Sequence, residues 1–223
     1  MKKYRHELKF IINKNMAFIL KNKLKYVMDI DSNNDGAYII RSLYFDDYKN
    51  GAYYDKINGV LNRKKYRLRI YNYNDCLIKL ECKEKNDNMC LKRDTKIDKE
   101  IALKLIAGDI NINSKDKLIN EVINEIRINK LSPSVIVDYK RLAFTYPVSD
   151  VRVTFDSEIS SGMNYFNMFD NEFNTVAMIN SDIIIMEVKY DDILPSHIDL
   201  ILQSVPTYRQ AVSKFVMCKE IEE

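Results

Sequence analysis

The sequence predicts an α+β domain in which amphipathic helices cover a large antiparallel sheet or barrel. Three observations lead there. Segment after segment alternates polar and apolar residues with the period of two that a strand imposes. Short turns rich in Asn and Asp join the segments of the middle third, as in hairpins. Other stretches carry apolar residues at helical spacing. With five glycines and four prolines in 223 residues, and no linker, repeat or low-complexity block, a single domain over 1–223 is expected.

The first strand is expected over Tyr4 to Ile12, with Arg5, Glu7 and Lys9 on one face and His6, Leu8 and Phe10 on the other. A helix follows, striped by Met16, Ile19, Leu20, Leu24, Val27 and Met28. A second strand covers about 38–45. A turn and short helix lie over Asp46 to Lys56, and Asn58-Gly59 marks a turn. Strands at about 60–72, 76–85 and 90–97 come next, hinged at Asn72 to Asp75 and at Asn86 to Asn88. Two helices then read clearly. One covers about Asp98 to Ala107, with Gly108 just past its end. The other covers about Lys115 to Asn129, with Ser114 as N-cap and Pro133 barring its continuation. Further strands are expected at about 134–146, 150–157, 173–179 and 182–190, and helices at about 196–203 and 207–221.

Lys and Arg number 35 and Asp and Glu 32, a net charge of +3, which excludes a histone-like polycation. The charge is nevertheless uneven. Between residues 63 and 96 there are eleven Lys or Arg against five Asp or Glu. No segment approaches the roughly 20 apolar residues of a membrane span. Met1 to Glu7 carries charge without an apolar stretch behind it, so no signal peptide is expected, and a cytoplasmic location is. Cys76, Cys82, Cys90 and Cys218 lack metal-ligand spacing and read as free thiols. His6 and His197 have no triad-like context and read as structural.

The chemistry lies in the strand faces. Lys65, Arg67 and Arg69 share one face of their strand, and Lys79, Glu81, Lys83 and Lys85 share one face of the next. Glu187 and Lys189 do the same near the end of the chain. One reading is a sheet with its charged face in water. The other is a closed barrel, apolar outside and charged inside. A solvated face has no need of arginines at i and i+2, and the helices need apolar sheet surface to cover. A lumen lined with Lys and Arg is costly when empty and apt when it encloses a multiply charged anion. Arginine forks grip phosphate oxygens in pairs, and lysines add point charge. No glycine-rich phosphate loop is present, so phosphate must be held by side chains.

In these residues the chain resembles the VTC (vacuolar transporter chaperone) polyphosphate polymerase domain, in its stand-alone bacterial form, a branch of the triphosphate tunnel fold. The segments that carry the resemblance are Arg5-His6-Glu7-Leu8-Lys9-Phe10, Arg41 to Asp46, Lys65 to Arg69, Leu80 to Lys83, Lys92-Arg93, Asp138 to Phe144, Arg152 to Asp156, Glu187 to Tyr190 and Ser213-Lys214-Phe215. They occur in family order over nearly the whole chain.

The resemblance implies a tunnel of about eight antiparallel strands with helices packed outside. It implies that Arg5, Lys9, Arg67, Arg69, Lys83, Arg141, Arg152, Lys189 and Lys214 grip phosphates, joined by Lys92 or Arg93, with Lys214 closing one tunnel mouth. Lys9, Arg67, Arg69, Lys83, Arg141 and Lys214 are the expected catalytic set. Glu187 is the expected ligand of Mn²⁺ or Mg²⁺. Glu7 and Glu81 read either as further metal ligands or as groups that orient neighbouring cations, and Asp156 as functional or as a partner of a base. The activity implied is transfer of the γ-phosphoryl group of ATP to a growing polyphosphate chain. Hydrolysis of tripolyphosphate or a nucleoside triphosphate, and a non-catalytic polyphosphate-binding module, are the alternatives. No nucleic-acid partner is expected, because an enclosed lumen excludes a duplex. A membrane partner that exports product is a further expectation of the family.

Overall fold

The computed structural model describes residues 5–31, 36–87 and 89–220. Tyr4, Asn88 and Ile221, expected from the sequence in a strand, a turn and a helix, lie outside them. The strands are β1 (His6–Asn13), β2 (Asp29–Ile30), β3 (Tyr38–Asp46), β4 (Arg63–Tyr71), β5 (Asn74–Asn86), β6 (Met89–Ile97), β7 (Ser132–Tyr146), β8 (Val151–Ser161), β9 (Val176–Ala177) and β10 (Ile183–Tyr190). The helices are α1 (Lys14–Leu24), α2 (Gly51–Ile57), α3 (Lys99–Ile106), α4 (Lys117–Asn129), α5 (Ser196–Leu202) and α6 (Lys214–Lys219).

Eight strands pair antiparallel in the order β1-β10-β8-β7-β3-β4-β5-β6, with β2 added to β7 and β9 to β8. The sheet curls until its edges meet. Arg5, ahead of β1, and Cys90 of β6 exchange backbone hydrogen bonds of 3.2 and 3.3 Å. The hairpin between β4 and β5 turns on Asn72 and Tyr73, both at positive φ, the backbone that a two-residue turn between twisted strands requires.

Outer faces are apolar and covered. Tyr66, Leu68, Ile70, Leu80 and Cys82 lie under Ala102 and Leu105 of α3 and Leu118, Val122 and Ile126 of α4. Ile12, Val153, Phe155, Met186 and Val188 lie under Leu20 and Leu24 of α1 and Ile198 and Leu202 of α5. Each such buried side chain contributes roughly 1.5–3 kcal/mol. That preference decides which face turns outward, and alternation then sends the charged residues to the lumen. A third cluster sits inside the curl. Phe215 and Cys218 of α6 pack on Val135, Val137, Ile159 and Ile185 and stopper part of the lumen.

Three local expectations change. The α4 N-cap is Asp116, whose carboxylate accepts from Leu118 and Ile119 N–H, while Ser114 accepts from Asp116 N–H one step earlier. Asp competes well with Ser at this position, and sequence alone does not rank them. The strand expected at 173–179 pairs only at Val176–Ala177, since Phe173 packs against Tyr165 at 4.7 Å. The helix expected at 207–221 begins only at Lys214. Before it, the chain runs as a strap along the free edge of β1: Gln210 N–H donates to Lys9 O at 2.9 Å, and Arg209 bridges Phe10. Lys9 and Lys56 donate to the strap carbonyls of Val212 and Ala211, both at 3.0 Å. Those bonds satisfy an extended backbone that a helix would otherwise have satisfied internally. The helix over about 98–107 is as expected: Gly108, at φ +74°, donates to Leu105 O, and Asp109 donates to Lys104 O, closing α3.

Candidate functional site

The curl encloses a cavity of about 1150 Å³. Ten lysines and seven arginines line it, with two carboxylates, Glu7 and Glu187. Strand periodicity builds this lining. Arg63, Lys65, Arg67, Arg69 and Tyr71 of β4 point inward in succession, and Leu77, Lys79, Lys83 and Lys85 of β5 face them.

Deep in the wall Glu81, 1% exposed, gathers three cations. Its carboxylate lies 2.6 Å from Arg67, 3.5 Å from Arg69 and 2.7 Å from Lys92. Burial would raise its carboxyl pKa, but Arg69, Arg67 and Lys92 overcome that and hold it well below the usual carboxylate range. Arg67 also donates to Tyr44 Oη at 2.7 Å, and Arg69 to Ser42 Oγ and Tyr139 Oη, both at 3.2 Å. Both guanidiniums are thereby oriented, with three cations gathered around one carboxylate.

A second cluster repeats the arrangement. Asp156, fully buried, binds Arg141 through two oxygens at 2.6 and 2.7 Å and Lys214 at 2.6 Å. Burial opposes its ionisation, yet Arg141 and Lys214 bring it down to about 2. The third cluster crosses from β1 to β10. Glu7 lies 2.7 Å from Lys83, 3.5 Å from Lys9 and 3.8 Å from Lys189. Glu187 lies 3.3 Å from Lys189 and 3.8 Å from both Lys9 and Arg141.

The residues singled out in the sequence are distributed as follows. Lys9, Arg67, Arg69, Lys83, Lys92, Arg141, Lys189 and Lys214 all border the cavity. Arg5 and Arg152 border it at its rim and are held from behind. Arg5 pairs with Asp150 and Asp191, and Arg152 with Asp31 and Tyr38. Arg93 is a correction. It points out of the barrel, where Glu84 and Glu121 of α4 hold it, because Lys92 takes the inward position and the next residue must face the other way. Lys56 and Arg209 also border the cavity, although the sequence does not single them out. They come from α2 and the strap, which lack the strand alternation that exposes the others. Lys65 shares a recognised face but is absent from the expected phosphate set. Among the described residues it has no ion-pair partner, and its ammonium sits 4.2 Å from the centre of the Phe215 ring. Burial, with Lys9, Arg63 and Lys83 close by, pushes it down to about 6.

A divalent cation fits this wall in one way. Among the described residues, no group of three possible ligands faces the lumen; the one such group, Cys82, Glu84 and Glu121, is outside and belongs to Arg93. Glu7 and Glu187 face the cavity, whereas Glu81 is enclosed by its three cations. Mg²⁺-type ions commonly take one or two carboxylates and complete their shell with substrate phosphate and water. The lumen's donor set therefore suits an ion carried in with phosphate and does not suit an all-protein site.

Fold and cavity together define a triphosphate tunnel protein. The chain belongs to the VTC domain family, which matches residues 4–221. Among solved structures it is similar to a candidate adenylyl cyclase from Hippeastrum described as having a dominant triphosphatase activity. That match has 14% identity and a TM-score of 0.59, over 99% of this chain and 97% of that one. It is also similar to a candidate adenylate cyclase of Bacillus halodurans, with 13% identity and a TM-score of 0.51, over 91% of this chain and 87% of that one. At these identities the likeness speaks for the fold. No curated protein matches the chain. Among the described residues no helix is long and apolar enough to cross a membrane. Family and fold support an activity on polyphosphate or triphosphate.

Proposed function

We propose that the protein transfers the γ-phosphoryl group of ATP to inorganic polyphosphate inside the tunnel, with Mn²⁺ or Mg²⁺ as cofactor. The observation that carries this reading is the cavity. At about 1150 Å³ it exceeds the range of about 300–1,000 Å³ usual for a small-molecule pocket, and cations line it along its length. A donor triphosphate and an acceptor phosphate end can lie in it together.

Catalysis then rests on positioning and charge. Arg67 and Arg69, aimed by Glu81, Tyr44 and Ser42, stand ready for the oxygens of the transferred group. Arg141 and Lys214, anchored on Asp156, supply a second rigid pair of donors. Lys9, Lys83 and Lys189 now hold Glu7 and Glu187, and incoming phosphate competes for them. Glu187 and Glu7 are the carboxylates that would hold a divalent ion, and such an ion would supply neutralisation of charge on neighbouring phosphate oxygens. No side chain needs to form a covalent intermediate, since holding donor and acceptor in line supplies the larger part of the barrier reduction.

The described likeness to a protein with triphosphatase activity favours a second reading, in which water is the acceptor. One experiment separates the two. Purified protein is given ATP with Mn²⁺ or Mg²⁺, and polyphosphate is resolved from free phosphate, with Arg67→Ala/Arg69→Ala as control. Polymer that disappears in the control supports transfer. Free phosphate alone selects the hydrolase. Tripolyphosphate binding without turnover, lost in the control, leaves a binding module.

A further inference from the structure

Helix α1 is apolar on two sides. Ala17, Leu20 and Leu24 pack one side onto the barrel. On the other, Phe18 and Ile19 stand in solvent, 68% and 42% exposed, with Tyr26 at 80% just past the helix end. Lysines frame these side chains. From Leu8 to Met28 the chain holds Lys9, Lys14, Lys21, Lys23 and Lys25 and no Asp or Glu. The other helices outside the barrel, α3, α4 and α5, each carry a carboxylate. Lys14, Lys23 and Lys25 are exposed. Among the described residues no lysine of this stretch beyond Lys9 has an ion-pair partner. Lys25 reaches only Asn22 Oδ1, at 3.2 Å, and lies 5.2 Å from the centre of the Tyr26 ring. Carboxylates on adjoining elements sit at the margins. Asp182 lies at the start of α1, where its carbonyl accepts from Lys14 N–H at 3.0 Å, and Asp29 follows beyond its end. Asp199 of α5 accepts from Gln203 Nε2 at 2.7 Å.

We propose that this face of α1 docks the protein on an anionic phospholipid surface. Phe18, Ile19 and Tyr26 enter the interfacial layer, and Lys14, Lys23 and Lys25 meet the lipid phosphates. The inference is independent of the reaction in the tunnel. Exposed apolar side chains interleaved with lysines are the pattern of a helix that lies in a membrane interface. A free polyanion would engage the lysines and leave Phe18 and Tyr26 unused. A second copy meeting this one face to face would set lysine against lysine, because a two-fold contact pairs a patch with itself. A bilayer interface takes both kinds of side chain at once and moulds itself to a convex helix.

The test uses the intact chain with two vesicle preparations, phosphatidylcholine alone and phosphatidylcholine mixed with phosphatidylglycerol. Flotation should carry the protein with the anionic vesicles only. Lys23→Gln/Lys25→Gln should weaken that binding by about fivefold per lysine. Phe18→Ser should weaken it by about tenfold. Lys115→Gln/Lys117→Gln, an equal loss of charge at the start of α4, should leave it near the wild-type value. The chain has no tryptophan, so Phe18→Trp reports this position alone, and its emission should shift to the blue on anionic vesicles. These substitutions replace exposed side chains, so melting temperatures should stay near that of the wild type. Absence of flotation with anionic vesicles overturns the inference. So does an equal loss in the α1 and α4 pairs, which would mean general attraction between charges. Unshifted Phe18→Trp emission on vesicles that carry the protein would put another face on the lipid. A dimer that Phe18→Ser abolishes, seen by light scattering without flotation, would assign the face to a second copy.

Discussion

Lys92 and Arg93 are neighbours in β6, yet they belong to opposite charge clusters. Outside the barrel, Arg93 and Lys64 meet Glu84 and Glu121, with the Tyr66 hydroxyl donating to Glu121 at 2.7 Å. Positive and negative charges balance there, and the cluster ties α4 to the sheet. Inside, Lys92 joins Arg67 and Arg69 around Glu81 alone. That cluster is left two positive charges in excess, within a wall poor in carboxylates. A charge cluster that closes on itself is a structural joint. One that does not keeps an excess of positive charge facing the lumen.

Four measurements bear on that contrast, taken from the greatest free-energy effect downward. Glu81→Gln leaves Arg67, Arg69 and Lys92 without their carboxylate. It should lower stability by about 3–5 kcal/mol. Added tripolyphosphate should recover more thermal stability in this variant than in the wild type, read by melting with and without the anion. An equal gain in both proteins would mean that the inner cluster is as self-sufficient as the outer one.

Arg67→Ala should cut metal-dependent turnover of ATP by about 10²–10³-fold, the scale of losing one preorganised donor to a reacting oxyanion. Its melting temperature should fall far less than that of Glu81→Gln. A steady-state assay beside a thermal melt checks both halves.

Lys65 predicts a pH dependence. Its folded value of about 6 lies below its ordinary 10.5, so across that window the unfolded chain binds the extra proton. Stability of the ligand-free protein should therefore rise with pH through the window, by at most about 1.4 kcal/mol per pH unit from this group. Lys65→Met should flatten the rise, as followed by urea midpoints at several pH values. Bound polyphosphate favours the charged amine, so wild-type affinity should fall more steeply with rising pH than that of Lys65→Met. The phosphate's own titration is common to both proteins and cancels.

Arg93→Ala is the smallest effect. It should cost on the order of 1 kcal/mol in stability and leave tripolyphosphate affinity near the wild-type value, by denaturation and equilibrium binding. A large loss of affinity would mean that α4 transmits strain into the lumen and that the two clusters are not independent.

Much of the site is legible in the residue pattern. Alternation in β1, β4, β5 and β10 puts Glu7, Lys9, Lys65, Arg67, Arg69, Lys83 and Lys189 on common faces, because strand geometry leaves a side chain only two directions. Alternation also states that Lys92 and Arg93 must part, but not which of them turns inward. That depends on Glu81 across the β5–β6 ladder and on Glu121 arriving from α4, a residue 28 positions away from Arg93. Asp156 is ambiguous for the same reason, since Lys214 comes to it from the far end of the chain. The strap before α6 reads as helix in the sequence and is extended in the fold. Its backbone is satisfied by Lys9, Lys56 and the edge of β1, none of which a local pattern reveals.

Sequence pattern is sufficient for the class of fold, for the faces of the strands that alternate and for the cationic lining of the cavity, since these follow from periodicity and charge over a few residues. Closure of the curl settles the rest. It sets which carboxylate neutralises which cation, leaves Lys65 without an ion-pair partner among the described residues, sets the Phe215 ring against its ammonium and brings Tyr71 and Leu77 into the same cavity wall. Those outcomes depend on distances between residues far apart in the chain, and only packing sets such distances.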